Sequence, residues 1–381
     1  MRILFLVQGE GRGHLTQALA FAQLVGTAGH EVVGALVGIT SARAVPAFFS
    51  EAFTAPIIPL LSPGLVYHAQ TNALRPFRTT LKALLDVRTY FKSMRQVADT
   101  IEDLRPDVVV NFYELLGGLT YALYRPAVPM ICVAHQYLAF HPCFPFPARS
   151  GLDQLLFKWN TWVTAVGARE ILALSFDPQP DGPDSRLRVV PPLLRRELTE
   201  RQPMAGRYVL AYTTQPGLVT QIRQAHESRP DVPLRCFHAG AKAPEEVIDD
   251  TLTDYAIDGP RFLDAMAHCG AVATTAGFEA VCEALYLGKP VLMIPQPNHF
   301  EQACNALDGQ RVGAGIASPV FDLTRLVDYL PQYDPAVSER FQQWHARGYY
   351  LFLAALNRAH APKGSNPMRS FRSRLGRLQR L

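Results

Sequence analysis

The amino-acid sequence predicts an α/β protein made of two Rossmann-like parallel-sheet domains that face a cleft. The chain has 381 residues, which is more than one domain usually needs. Short apolar runs alternate with segments of helical spacing, as is typical of a parallel sheet covered by helices. This alternation begins twice, at residue 1 and again at residue 208. We therefore expect a ligand site in the cleft, at the carboxyl ends of the strands.

The first half contains five apolar runs of the length expected for buried strands. In order they read "RILFLV", "EVVGALV", "DVVVNF", "VPMICVA" and "EILALSF". A helix is predicted between the first two runs, because apolar residues recur there at helical spacing and a glycine follows. These residues are Leu15, Ala18, Leu19, Ala22 and Gly29.

The second half contains four further strand-like runs, which read "YVLAYTT", "PLRCFH", "GAVATT" and "PVLMIP". Helical stretches lie among them, at residues 277–287 and 300–308. Between the two halves, residues 178–207 are rich in proline and charge, as linkers are. The second half is therefore expected to repeat the plan of the first.

These observations divide the chain into four parts. An N-terminal Rossmann-like domain is expected over residues 1–185, and a C-terminal one over residues 186–335. A helical segment at residues 336–360 is expected to pack across the domains. Residues 361–381 form a basic tail that we expect to be mostly disordered.

Charge and hydropathy exclude several classes of protein. The formal net charge is only +4, and residues 358–381 carry six arginines and one lysine without an acid. A surface for nucleic acid is not expected, whereas the tail suits an anionic membrane surface. The alternative is that the tail only keeps the chain soluble. No apolar run reaches the length of about 18 residues that a membrane span needs. We expect a cytoplasmic protein, with peripheral binding at the inner face of the membrane through the tail.

A glycine-rich loop, "GEGRGH", follows the first predicted strand. A dinucleotide fingerprint carries a further glycine at its sixth position, but here His14 follows Gly9, Gly11 and Gly13 at that place. The second strand also ends without the acid that would bind ribose hydroxyls, and no Gly-Lys-Ser/Thr follows the loop. The sequence therefore disfavours a nicotinamide, flavin or P-loop site.

His14 is the candidate general base. It lies in the first turn of the first predicted helix, where the helix dipole lowers the pKa of the imidazole and favours its neutral form. A neutral imidazole can take a proton from a hydroxyl group. The alternative is that His14 is a polar residue at a helix start that bonds only to the loop.

Residues 274–306 carry the most informative motif, "TTAGFEAVCEALYLGKPVLMIPQPNHFEQACNA". A strand ends there in a tight turn, and the free backbone N–H groups of the following helix suit a diphosphate. Glu279 and Glu283 share a helix face, from which a carboxylate can accept hydrogen bonds from ribose hydroxyls. Glu301 and Gln302 suit the hydroxyls of a sugar. Alternatively, these side chains belong to a solvated helix face and an ordinary helix start.

The candidate site residues lie in the glycine loop, after the strand "DVVVNF", and in this motif. The substrate-binding candidates are Gly11, Gly13, Thr275, Ala276, Gly277, Phe278, Glu279, Glu283, Gln296, His299, Glu301, Gln302 and Asn305. The catalytic candidates are His14, Asn111 and Glu114. No metal site and no cofactor are expected, because the six cysteines form no C-x-x-C pair and the chain has no Asp-x-Asp.

The motif resembles the donor-binding region of GT-B glycosyltransferases. Within them it is most similar to the UDP-glycosyltransferase-like group, which includes the bacterial N-acetylglucosaminyltransferase of peptidoglycan lipid assembly. That group shares "G-x-x-x-x-x-E-x-x-x-x-G-x-P" followed by "x-Q-x-x-N-A". The matching positions here are Gly277, Glu283, Gly288, Pro290, Gln302, Asn305 and Ala306. The loop "GEGRGH" resembles the same group's glycine-rich loop, whose histidine faces the acceptor.

The resemblance implies a glycosyltransferase with a GT-B fold from residue 1 to about residue 355. Glu283 would bind the ribose, Glu301 and Gln302 the donor sugar, and the turn at residues 276–278 the diphosphate. His14 would be the base of an inverting, metal-independent transfer. The donor would be a nucleotide diphosphate sugar, expected to be a UDP-sugar, and the acceptor an unidentified hydroxyl compound.

One position departs from this group, because Asn111 stands where many relatives carry an aspartate that orients the histidine. The Asn111 carbonyl can accept a hydrogen bond from the imidazole, but it cannot stabilise an imidazolium by charge. Glu114 is the alternative orienting residue. Two other functions stay open: a nucleotide-sugar 2-epimerase of the same fold, and a non-catalytic nucleotide-sugar-binding protein.

Aromatic residues concentrate between residues 137 and 162, near the expected acceptor side. They are Tyr137, Phe140, Phe144, Phe146, Phe157, Trp159 and Trp162. Such a surface suits a hydrophobic or lipid-linked acceptor, or contact with a membrane. The alternative is a covered loop followed by a core helix.

Overall fold

In the computed structural model, the chain folds into two α/β domains, each built on a seven-stranded sheet, and this confirms the predicted fold class. The structure describes residues 1–40, 44–64, 86–148, 150–214 and 216–361. All but the first residue of the predicted basic tail lies outside these ranges. No helix within them combines the length and the apolar character needed to cross a membrane.

The first sheet is entirely parallel. Its strands are β1 (Arg2–Gln8), β2 (Glu31–Ile39), β3 (Ile57–Leu61), β4 (Val108–Phe112), β5 (Met130–Ala134), β6 (Ala168–Leu174) and β7 (Leu187–Val190). They are arranged in the order β3-β2-β1-β4-β5-β6-β7. β4 and β5 are buried along their whole length, as apolar parallel strands covered on both faces must be.

The second sheet repeats this plan with one antiparallel edge. Its strands are β8 (Val209–Thr213), β9 (Leu234–His238), β10 (Glu245–Val247), β11 (Leu252–Tyr255), β12 (Ala271–Thr274), β13 (Val291–Met293) and β14 (Gly315–Ala317). Their order is β10-β11-β9-β8-β12-β13-β14, and β10 runs antiparallel to β11.

Helices cover both sheets. In the first domain they are α1 (Gly13–Thr27), α2 (Ala47–Ala52), α3 (Val87–Leu104), α4 (Leu115–Leu123) and α5 (Gly151–Thr164), with a 3₁₀ helix at His135–Phe140. The remaining α-helices are α6 (Arg196–Thr199), α7 (Pro216–Ser228), α8 (Gly259–His268), α9 (Phe278–Tyr286), α10 (Phe300–Val312), α11 (Leu323–Tyr329), α12 (Ala336–Ala346) and α13 (Gly348–His360). A short 3₁₀ turn lies at Leu330–Gln332.

The strand order of each sheet reverses beside the first strand of its domain. This switch lies between β1 and β4 in the first sheet, and between β8 and β12 in the second. Connections leave such neighbouring strands toward opposite faces, so a crevice opens at their carboxyl ends, where ligands bind. In this chain the two crevices open into one cleft, which residues from both domains line.

Two strands at the edges of the first sheet were not predicted. β3 contains Pro59 and follows Pro56, and β7 lies in the charged, proline-rich stretch that we interpreted as a linker. Because β7 pairs with β6, the first domain extends at least to Val190. The predicted boundary after residue 185 is therefore too early.

The C-terminal helices contact both domains. α12 packs on α9, and α13 packs against β4, β5, β6 and β7. Phe352 of α13 meets Phe21 in the first core, with ring centroids 5.7 Å apart. Trp344 of α12 donates a hydrogen bond to the Ser175 carbonyl at 2.9 Å. Residues 336–360 therefore complete apolar cores on both sides of the cleft.

Candidate functional site

A cleft of about 830 Å³ lies between the domains. This volume is in the range of small-molecule sites. Its walls include the carboxyl ends of β1, β8 and β12 and the first turns of α1 and α9. Most of the predicted site residues line it, namely Gly11, Gly13, His14, Thr275, Gly277, Phe278, Glu279, Glu283, Gln296, His299, Glu301 and Gln302. The fold thus joins two motifs that are far apart in the sequence.

Four predicted site residues lie behind the walls of the cleft rather than on them. They are Asn111, Glu114, Ala276 and Asn305, and all four are buried. Their contacts show that they support the backbone of the site.

The first two glycines of the loop after β1 occupy positions where the backbone conformation or a close contact excludes a side chain. A Cβ atom on Gly9 would lie 2.1 Å from the carbonyl oxygen of Gly38 in β2, and Gly11 has a φ of +92°. The third glycine differs, since a Cβ atom on Gly13 would come no closer than 3.9 Å, to Cβ of Glu279. The loop therefore uses its first two glycines to turn against β2.

His14 lies in the first turn of α1, between two side chains of its own domain. Its ring stacks on Tyr113, with centroids 5.5 Å apart and planes inclined by 20°. Nε2 of Gln136 lies 3.4 Å from Nε2 of His14, at the long end of hydrogen-bond distance. Burial lowers the pKa of His14 and outweighs the opposing effect of Glu301. The imidazole is therefore biased toward its neutral form, and burial is the main cause.

Asn111 does not orient His14, contrary to the prediction. Its Nδ2 donates to the carbonyl oxygens of Glu114 and Thr164, at 3.1 and 3.0 Å, and its Oδ1 accepts from the Glu114 N–H at 2.8 Å. All three bonds hold the main chain. An aspartate at this position would lack both donors, which explains why an amide occupies it.

The turn that Asn111 closes places Tyr113 under the imidazole of His14. Tyr113 has a φ of 61°, which is uncommon for a residue other than glycine. Its hydroxyl lies 2.8 Å from Oγ1 of Thr161 and accepts from Nδ2 of Asn160 at 3.2 Å. Tyr113 was missed by the sequence analysis, because nothing in its neighbourhood predicts this backbone conformation.

Glu114 does not orient His14 either. Its carboxylate caps α4 by accepting from the Leu116 N–H at 3.1 Å, and it accepts from Oγ of Ser62 at 2.5 Å. Burial raises the pKa of Glu114 to about 7. The prediction that Glu114 replaces the missing aspartate is therefore wrong.

The first turn of α9 carries the predicted anion site. No side chain caps this helix, so the N–H groups of residues 278–280 have no partner within it. A Cβ atom on Gly277 would meet nothing within 4 Å, and its φ of −74° is open to any residue. The space in front of Gly277 is therefore left to a ligand. Nδ2 of Asn305 donates to the Ala276 carbonyl at 3.0 Å and braces the turn from behind.

Glu283 is paired with an arginine that the sequence analysis missed. Nε and Nη2 of Arg195 lie 2.9 and 2.6 Å from the same carboxylate oxygen, Oε1. Both residues line the cleft, and Arg195 comes from the connection between the domains. The pair neutralises the buried carboxylate and leaves its other oxygen to a further partner.

Glu279 bonds across the cleft instead of facing solvent. Its Oε2 accepts from Nε2 of Gln17 in α1 at 3.1 Å, and its Oε1 is buried without a partner among the described residues. Burial raises the pKa of Glu279 well above its usual range, and the neighbouring Glu283 adds to the effect. Gln17 is a second residue that the sequence analysis missed, since only the fold brings it to Glu279.

The start of α10 completes the wall of the cleft that belongs to the second domain. Oε1 of Gln302 accepts from the Gln296 N–H at 2.9 Å, and His299 caps the helix by accepting from the Gln302 N–H. Gln302 itself lines the cleft. Glu301 raises the pKa of His14, so its carboxylate acts across the cleft on the first domain.

His135 adds an imidazole that the sequence analysis did not single out. Its ring stacks on Phe278 with centroids 3.8 Å apart, and its Nδ1 lies 2.7 Å from the Leu174 carbonyl oxygen. Burial lowers its pKa to about 4, so it is neutral at physiological pH. The only sequence signal was its place directly after a predicted strand, where ligand sites gather.

A buried group of possible metal ligands lies away from the cleft. Cys236 and His238 of β9 and Asp254 of β11 place their ligand atoms within 4.8 Å of one another. Arg223 binds the Asp254 carboxylate, and Nε2 of His238 lies 3.1 Å from the same oxygen. Because a guanidinium already neutralises this carboxylate, we assign the group to a buried polar network rather than to a metal site.

The aromatic residues between 137 and 162 include buried, partly buried and exposed side chains. Tyr137 and Phe144 lie in the core of the first domain, as the alternative interpretation expected. Trp159 and Trp162 on α5 are instead 62% and 55% exposed. The most exposed aromatic side chains of this region therefore lie on α5.

Comparison with known proteins supports a single family. The family model for glycosyl transferase family 1 matches residues 1–333. An uncharacterized glycosyltransferase of Methanosarcina acetivorans is 25% identical over 345 residues, which cover 83% of each chain. The match includes both walls of the cleft.

Solved structures show the same fold at lower identity. The glycotransferase of kitacinnamycin is 17% identical, with a TM-score of 0.62 over 95% of this chain and 99% of its own. The calicheamicin glycosyltransferase CalG4 is 20% identical, with a TM-score of 0.59 over 95% and 100%. The spinosyn rhamnosyltransferase SpnG, complexed with thymidine diphosphate, is 15% identical, with a TM-score of 0.60 over 94% and 100%. The chain is therefore a glycosyltransferase with the GT-B fold and belongs to glycosyl transferase family 1.

Proposed function

We propose that the protein is an inverting, metal-independent glycosyltransferase that moves a sugar from a nucleotide diphosphate sugar to an acceptor hydroxyl. One observation carries the proposal: His14 and the uncapped first turn of α9 line the same cleft from opposite domains. Direct displacement at an anomeric carbon needs a base on one side and a stabilised leaving group on the other. Such a displacement inverts the configuration of that carbon.

In this proposal the second domain holds the donor. The diphosphate lies at the N–H groups of residues 278–280, the ribose at Glu283, and the sugar hydroxyls at Glu301 and Gln302. SpnG has a similar fold and is complexed with thymidine diphosphate, and the sequence motif resembles that of UDP-sugar enzymes. We therefore expect a uridine or thymidine diphosphate sugar.

The first domain supplies the base. The acceptor oxygen attacks the anomeric carbon while Nε2 of His14 takes its proton. The bond from that carbon to the diphosphate breaks, and its electron pair leaves with the diphosphate. The carbon passes through a state of oxocarbenium character. Backbone N–H groups and the dipole of α9 stabilise the leaving charge, so the step needs no metal ion.

Calorimetry and a transfer assay test the proposal together. The protein is expected to bind uridine or thymidine diphosphate and to transfer sugar in the presence of a chelator. His14→Ala is expected to keep nucleotide binding and to lose transfer. The proposal fails if no uridine, thymidine or guanosine diphosphate binds. Conversion of the donor without any acceptor would instead indicate an epimerase, and tight binding without turnover would indicate a binding protein.

We also propose that the acceptor is hydrophobic or lipid-linked and that the protein meets it at an anionic membrane surface. One face of α5 carries five exposed apolar side chains at helical spacing: Leu152, Leu155, Leu156, Trp159 and Trp162. Tryptophan is enriched at membrane–water interfaces. This face has no covering partner among the described residues.

The position of Ala361 and the charge of the residues that follow it support a membrane as the partner of α5. The carbonyl of Ala361, the last described residue, accepts from Nη2 of Arg169 at 2.5 Å, and Arg169 follows shortly after the end of α5. The last described residue therefore lies near the end of the apolar helix face. Residues 362–381 carry five arginines and one lysine without an acid, a charge that complements anionic lipid.

Co-sedimentation with vesicles tests this surface. The full chain is expected to bind phosphatidylglycerol-containing vesicles and to bind pure phosphatidylcholine vesicles less. A Trp159→Gln, Trp162→Gln double variant is expected to bind at least about tenfold more weakly, since two large aromatic surfaces no longer leave water. Tyr350→Gln is the control, because Tyr350 is 72% exposed on α13. Equal binding by the double variant, or a dimer that it dissociates, would contradict the proposal.

A further inference from the structure

The imidazole of His14 has an unused donor position next to an unused acceptor. Nδ1 of His14 and Oε1 of Gln17 are both buried, and neither has a hydrogen-bond partner among the described residues. The two residues are three apart on α1, so their side chains share one face of the helix. The side chain of Gln17 also favours the protonated imidazole and so raises the pKa of His14. The carbonyl of Gln17 is thus the matching acceptor for an N–H at Nδ1.

The opposite domain fixes the orientation of Gln17. Its Nε2 donates to Oε2 of Glu279 in α9 at 3.1 Å, across the cleft. Whether Glu279 is ionised or protonated, Oε2 can act as an acceptor, so the NH₂ group of the amide faces Glu279. The carbonyl oxygen of the same amide is then left without a partner among the described residues. The donor-binding domain therefore decides which atom Gln17 offers to His14.

We propose that Gln17, held by Glu279, is the positioning residue that orients His14 in place of the aspartate that Asn111 replaces. The pair keeps the proton on Nδ1 and leaves the lone pair on Nε2 free for the acceptor hydroxyl. Gln136 agrees with this tautomer, because its amide nitrogen lies on the Nε2 side, where it donates to that lone pair. An incoming hydroxyl replaces this long contact.

The proposal couples the base to closure of the cleft. Glu279 belongs to the wall that binds the donor, and it reaches Gln17 only when the two walls are as close as they are here. The imidazole is therefore correctly oriented only when the donor domain is in place. This order protects the donor from hydrolysis, because the base is not correctly oriented before the two domains close on each other.

Other groups around His14 affect whether the imidazole is protonated, but not which ring nitrogen carries the proton in its neutral form. Glu301 of α10 favours the imidazolium, and Glu279 of α9 acts through Gln17. Tyr113 lies beneath the ring and stays neutral, since burial raises its pKa well above the usual range. Among these residues, Gln17 is the one that shares a helix face with His14 and carries a buried, unpartnered carbonyl oxygen.

NMR titration of the imidazole of His14 in the full chain tests the proposal without any substrate. The wild type is expected to carry its proton on Nδ1 when neutral. Gln17→Met has a similar volume and no acceptor, so it is expected to titrate at lower pH. Gln17→Glu restores an acceptor and adds charge, so it is expected to titrate at higher pH than the wild type. The control is Gln23→Met, because Gln23 lies on the same helix and also reaches across, to Glu197 at 3.4 Å.

Kinetics give the second readout, which rests on the proposed function. Activity needs the neutral imidazole, so the acid limb of the pH–rate profile is expected to move to lower pH in Gln17→Met. Its kcat is expected to fall at least about tenfold, with an unchanged KM for the donor. Glu279→Met is expected to move the limb in the same direction, whereas Glu279→Gln, which keeps an acceptor, is expected to restore it.

Two results would overturn the proposal: a proton on Nε2 of wild-type His14, or identical titration of the wild type and Gln17→Met while both unfold at the same temperature. If no variant transfers sugar but the titration shifts as expected, the proposed function fails and the positioning role stands. If transfer occurs and the titration is unchanged, only the positioning role fails.

Discussion

The cleft has two walls, the first from the N-terminal domain and the second from the C-terminal domain. Both are built from the same succession of elements, but the structural roles of their glycines differ. In each wall a strand beside the switch point ends in a glycine-containing turn and a helix begins, from β1 to α1 and from β12 to α9. In the first wall a Cβ atom on Gly9 would collide with the backbone of Gly38 at 2.1 Å. In the second wall a Cβ atom on Gly277 would meet nothing within 4 Å. In the proposed function, the open space in front of Gly277 is where the diphosphate approaches the start of α9.

A buried asparagine braces each wall as well. Asn111 donates two hydrogen bonds to main-chain carbonyls and accepts one, and so holds the turn beneath His14. Asn305 donates one hydrogen bond to the Ala276 carbonyl in the turn before α9. In the proposed function, the first wall thus positions the side chain of His14 for chemistry, and the second exposes backbone N–H groups for binding. Substitutions in the two walls should therefore separate catalysis from donor affinity.

The largest expected effect is that of His14→Ala on the rate of transfer. Loss of the base is expected to lower kcat about 1000-fold, with nucleotide affinity unchanged, because the diphosphate is assigned to the other wall. Single-turnover transfer and calorimetry measure the two quantities. A loss of nucleotide affinity as large as the loss of rate would place the donor at α1 and contradict the division of work.

The glycines offer the sharpest test of the comparison. Gly9→Ala is expected to lower the free energy of unfolding by about 3 kcal/mol or more, because its methyl group collides with backbone that cannot move freely. Gly277→Ala is expected to leave stability within about 0.5 kcal/mol and to weaken nucleotide binding about tenfold. Denaturant unfolding and calorimetry distinguish them. Equal loss of stability in both variants would show that Gly277 is also structural.

Arg195→Met tests the charge balance of the second wall. The variant leaves Glu283 buried without its cation, which is expected to cost about 3 kcal/mol of unfolding free energy. Arg196→Met is the matched control, because the neighbouring arginine pairs with Glu200 on the surface and both partners are exposed. Its expected cost is below about 0.5 kcal/mol. Similar costs for both variants would contradict a buried role for Arg195.

Substitution of the two asparagines is expected to have effects that differ in magnitude and in the functional property affected. Asn111→Ala is expected to cost about 2 kcal/mol, because it leaves several buried main-chain groups unpaired, and to lower kcat. Asn305→Ala is expected to cost about 1 kcal/mol and to weaken nucleotide binding. Unfolding curves, kcat and binding affinity are the measurements. If Asn305→Ala lowered kcat with normal affinity, the assigned roles of the walls would be wrong.

The smallest expected effect is the pH dependence of donor binding through Glu279. Its raised pKa keeps the carboxyl group neutral at lower pH. As pH rises and the group ionises, its negative charge lies beside the diphosphate and is expected to weaken binding by about threefold. Glu279→Gln is expected to remove this dependence. Calorimetry of nucleoside diphosphate binding across the pH range checks both, and parallel curves for the two proteins would exclude Glu279 as the cause.

The sequence predicted what depends on local chemistry. Nine apolar runs predicted the central strands, and the residues at 274–306 predicted an uncapped helix start, since a turn and its helix are contiguous in the chain. The edge strands β3 and β7 were not predicted, because short, partly covered strands that contain or adjoin prolines and charged residues show no clear apolar run.

The partners of buried polar groups could not be predicted in the same way. Asn111 bonds to Thr164, Arg195 to Glu283, and Gln17 to Glu279, pairs separated by 53, 88 and 262 positions along the chain. Each side chain has an ordinary alternative in its local sequence. Only the packing of two domains decides between them, and this is why the sequence left open which residue orients His14.

The most direct test of the two-wall account is a crystal structure of the protein with uridine or thymidine diphosphate bound. The account predicts the diphosphate within hydrogen-bond distance of the backbone N–H groups of residues 278–280, in front of Gly277. It also predicts that the space beside His14 is left open for the acceptor. A diphosphate bound instead to the loop of Gly9, Gly11 and Gly13 would contradict the account.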